Sequence, residues 1–424
     1  MKRIVLITIL LSPIIFYACK QEPVVTKYSI EQFYKNKQVF GGKFSEDETR
    51  LLYTSNESGI YNLYEVCIAD GTQKQLTNST QESYFAIDYV PGTNKILYAA
   101  DKGGDEIDHI YLLNEDGTST DLTPEEKAKA GFVGWNKEKT AFYFLSTKRD
   151  PRFFDLYIMD TKTWKAKLLY QNDKGLSINE ISWDEKYVVL VESITTNDNK
   201  LYLVNRLTKE QKEISIPEQP GSYVARGFSL NGKYLYYTTN SQKEFQYLVS
   251  YNLETGERNT VFETNWDVIN FFLSRYEKYR VIAINEDGKN TLKLFDHKTG
   301  QKVESPAIAD GDIISIEISD SEKYMRISAG TSKSPADIYF YNMETKELKR
   351  LTNSLNPEID QNQLVAAEVV RYKSFDGLSI PAIFYKPLDA TKKNKVPALV
   401  WVHGGPGGQS RVGYSALIQY LTNN

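Results

Sequence analysis

Apolar and polar positions repeat along the chain from about residue 44 to residue 353. Each copy has a polar turn followed by an aromatic-rich stretch in which apolar and polar residues alternate, a pattern that predicts a strand. The copies lie 43 to 48 residues apart, a period typical of one four-stranded propeller blade. The pattern therefore predicts a mainly β protein with a seven-bladed β-propeller, whose copies are marked by Phe44, Ile87, Val133, Ile181, Phe228, Phe272 and Ile318.

The repeat has two recurring halves. The polar turn and the strand after it recur most clearly in residues 44–53, 181–190, 228–237 and 318–327. The second half has two strands joined by a turn with Asp, Asn or Gly, residues that tolerate the positive φ of tight hairpins. A Leu-Thr pair closes three copies at residues 75–77, 121–123 and 350–352. Short peripheral helices are predicted at residues 29–35, with Ser29 as cap, and at residues 124–130, which begin with Pro.

The pattern changes after residue 353. Residues 365–374 and 378–387 predict two antiparallel strands joined by a turn, and the apolar run 396–402 predicts a buried strand. A glycine-rich loop follows at residues 403–408, and residues 414–421 predict a helix. This order of elements is the opening of an α/β-hydrolase sheet. We therefore expect an incomplete α/β-hydrolase domain after the propeller.

The glycine-rich loop carries the candidate chemistry of the chain. In an α/β-hydrolase, backbone N–H groups of a loop after a buried strand form part of the oxyanion hole. Glycine suits this position because the backbone must approach the reacting carbonyl without a Cβ in between. A phosphate-binding loop is a weaker interpretation, since no Gly-Lys-Ser/Thr follows and a proline removes one donor. A plain tight turn is the remaining alternative.

The chain has one sequence motif at residues 375–381 and a second at residues 401–409. Together they resemble the prolyl oligopeptidase family of serine peptidases, especially its acylaminoacyl-peptidase and dipeptidyl-peptidase branches. The resemblance covers residues 44–424 and implies a two-domain enzyme whose propeller admits short peptides rather than folded proteins. It implies that His403, Gly404, Gly405 and Pro406 form the oxyanion-hole loop. Backbone N–H groups of Gly404 and Gly405 would help bind the oxyanion, and His403 would orient the loop.

The catalytic triad of such a peptidase has no counterpart in this sequence. No Gly-x-Ser-x-Gly elbow occurs, and Ser415 in residues 413–417 lacks the second glycine. The other histidines, His109 and His297, precede the loop, whereas the triad histidine should follow the nucleophile. We therefore expect a truncated reading frame or fragment that lacks about 200 residues of the domain. The chain alone is predicted to be inactive.

The N-terminus has the composition of an export signal. Lys2 and Arg3 precede a short apolar run that ends in Ala18 and Cys19. This ending resembles a bacterial lipobox, in which the cysteine receives lipid and becomes the new N-terminus. The sequence thus predicts a bacterial protein exported to the cell envelope, held on a membrane by a lipid on Cys19 and facing the periplasm. A plain signal peptide with an incidental cysteine is the alternative.

Four domains are predicted: a signal peptide at 1–18, a lipidated N-terminus and tether at 19–40, the propeller at 41–360 and the incomplete peptidase domain at 361–424. The net charge of −4 does not indicate nucleic-acid binding, which usually requires a basic surface. With three histidines and no clustered cysteines, the sequence predicts no metal site and no cofactor. The expected partners are short peptide substrates and a membrane, and no pattern specifies an oligomeric state. A second interpretation is a non-enzymatic lipoprotein propeller that binds a protein or glycan.

Overall fold

The computed structural model describes residues 25–405 and 407–424. Within these residues, 28 strands form seven four-stranded antiparallel sheets, each from four consecutive strands in chain order. The predicted seven-bladed propeller is confirmed. Every marker of the sequence repeat lies in the first strand of its blade.

The strands of blades 1 to 4 are, in chain order, β1 Val39–Phe44, β2 Arg50–Ser55, β3 Asn62–Cys67, β4 Gln73–Gln75, β5 Phe85–Tyr89, β6 Ile96–Ala100, β7 His109–Leu113, β8 Ser119–Asp121, β9 Ala130–Trp135, β10 Ala141–Asp150, β11 Phe153–Asp160, β12 Ala166–Tyr170, β13 Ser177–Ile181, β14 Tyr187–Ser193, β15 Asn199–Asn205 and β16 Gln211–Glu213. Those of blades 5 to 7 are β17 Tyr223–Phe228, β18 Tyr234–Thr239, β19 Tyr247–Asn252, β20 Arg258–Phe262, β21 Asp267–Leu273, β22 Tyr279–Glu286, β23 Lys289–Asp296, β24 Lys302–Val303, β25 Asp312–Ile318, β26 Tyr324–Thr331, β27 Ser334–Asn342 and β28 Leu348–Arg350.

The first strand of each blade lies nearest the propeller axis. First strands of neighbouring blades contact one another, as β1 does β5 and β13 does β17. The ring closes where β1 packs against β26 and β27 of blade 7, so one apolar cluster joins the first and last blades. Each blade consists of four consecutive strands, so no strand from the start of the propeller completes the last blade. Side-chain packing and hydrogen bonds between blades 1 and 7 therefore close the ring.

Each first strand has a β-bulge at the same place. One residue is skipped in the register with the second strand, at Gly42, Ile87, Val133, Asn179, Arg226, Ile269 and Ile314. A bulge bends its strand and increases the local twist. The seven bulges therefore curve all inner strands in the same way around the axis.

The recurring serine of the sequence repeat closes the turn between the first two strands. Ser45 Oγ accepts the backbone N–H of Arg50 at 3.1 Å and donates to Asp47 Oδ1 at 2.5 Å. Hydrogen bonds from Ser45 and Thr49 lower the pKa of Asp47 to about 2. The hydroxyls of Ser182, Ser229, Ser274 and Ser319 likewise accept the backbone N–H of the residue five positions later.

The Leu-Thr pair at the end of a copy also has a structural role. The Thr77 hydroxyl accepts the N–H of Leu63, and Thr123 and Thr352 do the same for the third strands of blades 2 and 7. These hydroxyls satisfy buried donors that the short fourth strand leaves unpaired. The motif therefore marks the end of a blade.

Helix α1, Ile30–Tyr34, begins at Ser29 in a capping box, as the sequence predicted. Residues 25–40, predicted as part of a tether, contain this helix and the start of β1, and Phe33 is fully buried in a cluster with Tyr420. The predicted helix at 124–130 is wrong. These residues form a turn because the segment is short and its end pairs as β9.

After the propeller, a 3₁₀ turn at Gln361–Gln363 precedes a hairpin of β29 Ala367–Lys373 and β30 Ser379–Tyr385, and helix α2 spans Ala416–Asn423. The hairpin and helix lie where the sequence predicted them. The strand predicted at 396–402 is absent from the described residues, and its side chains are exposed. A strand needs hydrogen-bonded neighbours, and no described strand pairs with this segment.

Candidate functional site

The C-terminal segment packs on one face of the propeller. It contacts blade 6 between β22 and β23 and the start of β25 in blade 7, where Val412 donates to Gly288 O and Arg411 pairs with Asp312. The turns between first and second strands lie at the opposite end of these strands. The propeller therefore has one face beside the candidate loop and one face away from it.

The candidate oxyanion loop lies exposed at the first of these faces. His403, Gly404 and Gly405 are exposed, and the His403 ring lies beside Gly408, with Nδ1 3.3 Å from Gly404 O. A Cβ at Gly404 or Gly405 would meet no described atom within 4 Å. Pro406 lies outside the described residues. Among the described atoms, no hydrogen bond is donated by the backbone amide of Gly404 or Gly405, and the assignment of these amides to an oxyanion hole stays a prediction.

Two buried side-chain amides of α2 hold this helix to the chain segment before the propeller and to the segment after it. Gln419 is fully buried and bonds both the N–H and the C=O of Val365, at 3.0 and 2.8 Å. Asn423, one turn later, bonds the Tyr28 N–H at 2.8 Å and the Thr26 C=O at 2.9 Å. Helix α2 therefore joins the segment that enters the propeller to the segment that leaves it. In the sequence these amides are two polar positions at i and i+4 of a largely apolar helix, a pattern that indicates buried hydrogen bonds.

Charged side chains line the inner strands near the seam between blades 7 and 1. Arg326 is almost fully buried and donates to Gly42 O at 2.9 Å and Ser315 Oγ at 2.6 Å. Lys43 Nζ lies 2.7 Å from a carboxylate oxygen of Glu317. Burial alone would lower the pKa of Lys43, but the nearby carboxylates outweigh burial and raise it.

Two carboxyl groups of the inner strands have raised pKa values. Burial raises the pKa of Asp88, which accepts from Trp135 Nε1 at 3.0 Å, and the Lys43 ammonium opposes the shift. Burial raises the pKa of Glu180 to about 7, and the Arg226 guanidinium partly offsets it. Glu180 lies in β13, the first strand of blade 4, and Arg226 lies in β17, the first strand of blade 5.

Side chains span the ring at the face away from the loop. Arg275 of blade 6 donates to the C=O of Lys137 of blade 3 at 2.7 Å, and Lys139 of blade 3 pairs with Asp320 of blade 7. Blade 3 lies roughly opposite blades 6 and 7 in a ring of seven. The axial opening is therefore narrow here and is crossed by polar side chains.

The remaining sequence candidates have structural roles. Ser415 caps α2 by accepting the Ile418 N–H at 3.3 Å, and His109 is buried with Nδ1 2.7 Å from Asp121 Oδ2. Burial lowers the pKa of His297 at the end of β23. Cys19 lies outside the described residues. In the described part of the chain, no group of three His, Cys, Asp or Glu side chains could hold a metal ion, and no helix is long and apolar enough to cross a membrane.

Residues 77–354 match the family model for the prolyl oligopeptidase N-terminal β-propeller domain. The chain belongs to the prolyl oligopeptidase family. It is 24% identical over 413 residues to dipeptidyl aminopeptidase BIII of Pseudoxanthomonas mexicana, with 93% of this chain and 59% of the relative covered. It is 20% identical to dipeptidyl peptidase family member 6 of Caenorhabditis elegans, of which it covers 58%. The chain thus spans less than two thirds of the length of these curated relatives.

Solved structures share the fold. Prolyl oligopeptidase B from Galerina marginata superposes with a TM-score of 0.68 at 15% identity, over 93% of this chain and 62% of that one. The acylaminoacyl peptidase of Pyrococcus horikoshii superposes with a TM-score of 0.65 at 16% identity, over 94% of this chain and 65% of that one. At these identities the likeness concerns the fold.

Proposed function

We propose that this protein is a serine-type peptidase that cleaves short peptides, with the propeller restricting access to its site. The observation that carries the proposal is the position of residues 403–405, 407 and 408. In a chain of this family, these glycine-rich residues are exposed beside the propeller face that contacts the C-terminal segment. The backbone N–H of a glycine can approach the oxyanion of a tetrahedral intermediate closely, because no Cβ stands in the way. Removing one such donor typically lowers kcat by about 10²–10³-fold.

The propeller supports selection of substrates by size. The axial opening is crossed by Arg275 and by the pair Lys139–Asp320 at the far face, so a folded protein cannot pass along the axis. Peptides would reach the loop through the ring or at its rim. This arrangement favours short, extended substrates.

The exposed apolar side chains after the propeller favour a larger catalytic domain. Phe375, Val400 and Trp401 are largely exposed, although apolar side chains usually lie inside a fold. In our proposal, further strands and helices of the family's catalytic domain cover this surface and supply the nucleophile, acid and base. The strand predicted at 396–402 then forms between neighbours.

The activity can be tested by expressing the whole reading frame, including any codons after Asn424. Because one relative is a dipeptidyl aminopeptidase, dipeptide p-nitroanilides with a free amine are the first substrates to assay. We expect turnover that a serine-directed fluorophosphonate abolishes, and no turnover by residues 25–424 alone. A reading frame that ends at Asn424 without turnover or labelling would contradict the peptidase and favour the binding propeller.

The same proposal includes an exported protein with a lipid on Cys19. The sequence of residues 2–19 supports it, since a short charged and apolar segment ends in Ala-Cys. We expect mass spectrometry of the native protein to find an acylated N-terminal cysteine and fractionation to place it with membranes. Cys19→Ser should release it, and a mature chain that retains residues 1–18 would contradict the anchor.

A further inference from the structure

Arg411 connects the chain just after the glycine-rich loop to the propeller. Its Nη2 donates to Asn290 Oδ1 at 2.7 Å and to Asp312 Oδ1 at 3.0 Å, and its Nη1 donates to Asn285 Oδ1 at 3.3 Å. Asn285 and Asn290 belong to blade 6, and Asp312 begins the first strand of blade 7. A planar guanidinium with several donors suits this fan of acceptors better than an ammonium does.

Backbone contacts beside Arg411 strengthen the connection. The Val412 N–H donates to Gly288 O at 2.9 Å, and Val412 is buried. Gln409 accepts from Asn285 Nδ2 at 2.8 Å. Residues 409–412 therefore pack on the propeller as a continuous segment, which we call the anchor segment.

The propeller corner that receives the anchor segment is itself fixed. Asp312 Oδ1 also accepts the N–H of Asn290 at 2.7 Å, and Asn290 Nδ2 donates to Ile313 O at 2.9 Å. These bonds join blades 6 and 7 and orient the acceptors of Arg411. Gly288 has φ +74, and a Cβ there would lie 3.3 Å from Ser410 O, so both conformation and space favour glycine.

The glycine-rich loop has few contacts of its own. Among described atoms, its backbone makes one backbone–backbone hydrogen bond, from Gly408 N to Gly405 O at 3.4 Å, and one contact with a side chain, from Gly404 O to His403 Nδ1 at 3.3 Å. The chain before it, residues 396–402, is exposed and without regular structure. The anchor segment is therefore the nearest fixed point to Gly404 and Gly405.

We propose that Arg411 is a positioning residue that makes the propeller hold the oxyanion loop in place. The inference rests on the proposed peptidase function and adds a second role for blades 6 and 7 beside restricting access. Oxyanion donors act only when held at about 3 Å from the developing charge, so a loose loop loses transition-state stabilisation rather than substrate affinity. Loss of the anchor should therefore lower kcat and leave KM nearly unchanged.

The test uses the protein expressed from its whole reading frame. Arg411→Ala should lower kcat about 10- to 100-fold with little change in KM, a smaller loss than removal of a whole donor. Asp312→Asn, on the propeller side, should have a similar effect. The double variant should lose no more than either single variant, because both remove one connection. Arg411→Lys should recover only part of the rate, since it keeps the charge without the fork.

Arg371→Ala is the matched control, because Arg371 also pairs with blade 6, at Asp287, but from the hairpin. It should leave kcat unchanged. Hydrogen exchange gives a readout without catalysis: amides 407–412 should exchange faster in Arg411→Ala, while amides of β22 and β25 keep their protection and so report an intact propeller.

The outcomes separate the two proposals. Unchanged kcat in Arg411→Ala, in a wild-type protein that turns over, overturns the positioning role and leaves the peptidase intact. A KM rise with unchanged kcat, or equal exchange at residues 407–412, also overturns it. A wild-type protein with neither turnover nor fluorophosphonate labelling overturns the proposed function first, and the positioning role with it.

Discussion

The propeller blades and the segment from residue 367 to residue 402 have similarly apolar sequences, but their apolar side chains differ in burial. In the blades, side chains such as Phe142 and Leu235 are fully buried against the next strand or the next blade. In the later segment, Phe375 and Val400 are largely exposed. A repeat supplies the neighbours of each of its copies, whereas the later segment has no repeated copy to cover it. An apolar pattern thus predicts a strand without showing what buries it.

The later segment itself shows the same contrast on a smaller scale. The hairpin of β29 and β30 forms because both strands lie within it and the turn has Gly377 at φ +85 with Asp376 bonded to the Leu378 N–H. Residues 396–402 have no hydrogen-bonded neighbour among the described strands and remain irregular. Local partners decide which element forms.

The largest test of this comparison is one substitution made in both regions. Phe142→Ala removes a fully buried ring from the cluster between blades 2 and 3 and should lower the free energy of unfolding by about 3–5 kcal/mol. Phe375→Ala removes a fully exposed ring and should change it by less than about 0.5 kcal/mol. Urea denaturation followed by tyrosine and tryptophan fluorescence measures both. A large loss at Phe375 would mean that the hairpin is covered in this chain.

Most of the fold could be predicted because its signals are local and repeated. Seven copies of a polar turn and strand, five of them with a serine such as Ser45 or Ser182, indicated the number of blades, and turns of this kind need only a few neighbouring residues. The helix expected at residues 124–130 failed for the converse reason. Its proline, acidic residues and lysines have the order typical of a helix, but Ala130 and the residues after it pair in the blade as β9.

The site could be predicted only in part. The glycine-rich loop is visible as residue types, because glycine itself is the chemical requirement. The roles of Arg411 and Gln419 could not be predicted, since they depend on partners about 100 and 54 residues away along the chain, at Asp312 and Val365. The polar position of Gln419 in a largely apolar helix marks it as unusual but does not show which groups it bonds. An arginine or glutamine in a sequence looks the same whether it faces water or joins two segments.

The joint between the two regions should be the next most sensitive place. Gln419→Leu leaves the N–H and C=O of Val365 and the C=O of Ser332 without their buried partner. We expect a local loss of about 1–3 kcal/mol, the cost of unsatisfied buried groups. Hydrogen exchange at Val365 and along α2 measures it. Gln361→Leu, at an exposed glutamine of the same linker, is the control and should leave exchange unchanged.

Charge inside the ring distinguishes the propeller interior from the exposed turns. Burial raises the pKa of Glu180 to about 7, so the folded protein holds this proton more tightly than the unfolded chain does. The stability that this proton gives is present below pH 4.5 and is lost as the pH rises from about 4.5 to about 7. Glu180→Gln should therefore be more stable than wild type at pH 8, on the order of 1 kcal/mol, and nearly equal at pH 4.5.

The stability difference is measured from the denaturation midpoints of wild type and Glu180→Gln at pH 4.5 and pH 8. Comparing the two proteins at each pH removes the contribution of the other carboxyl groups, which both proteins share. Glu254→Gln changes an exposed glutamate in the turn after β19 and serves as the control, with no pH-dependent difference expected. A wild-type protein as stable as Glu180→Gln at pH 8 would show that Glu180 ionises freely inside the ring.

The smallest expected effect lies where the hairpin meets the propeller. Arg371 of β29 pairs with Asp287 of blade 6, but both side chains are substantially exposed, so water and salt weaken the pair. A double-mutant cycle with Arg371→Ala and Asp287→Ala should give a coupling free energy below about 1 kcal/mol, which falls further at 0.5 M salt. Coupling that is larger and independent of salt would mean that the hairpin packs on the propeller more closely than its exposed apolar side chains indicate, and would weaken the contrast between the two regions.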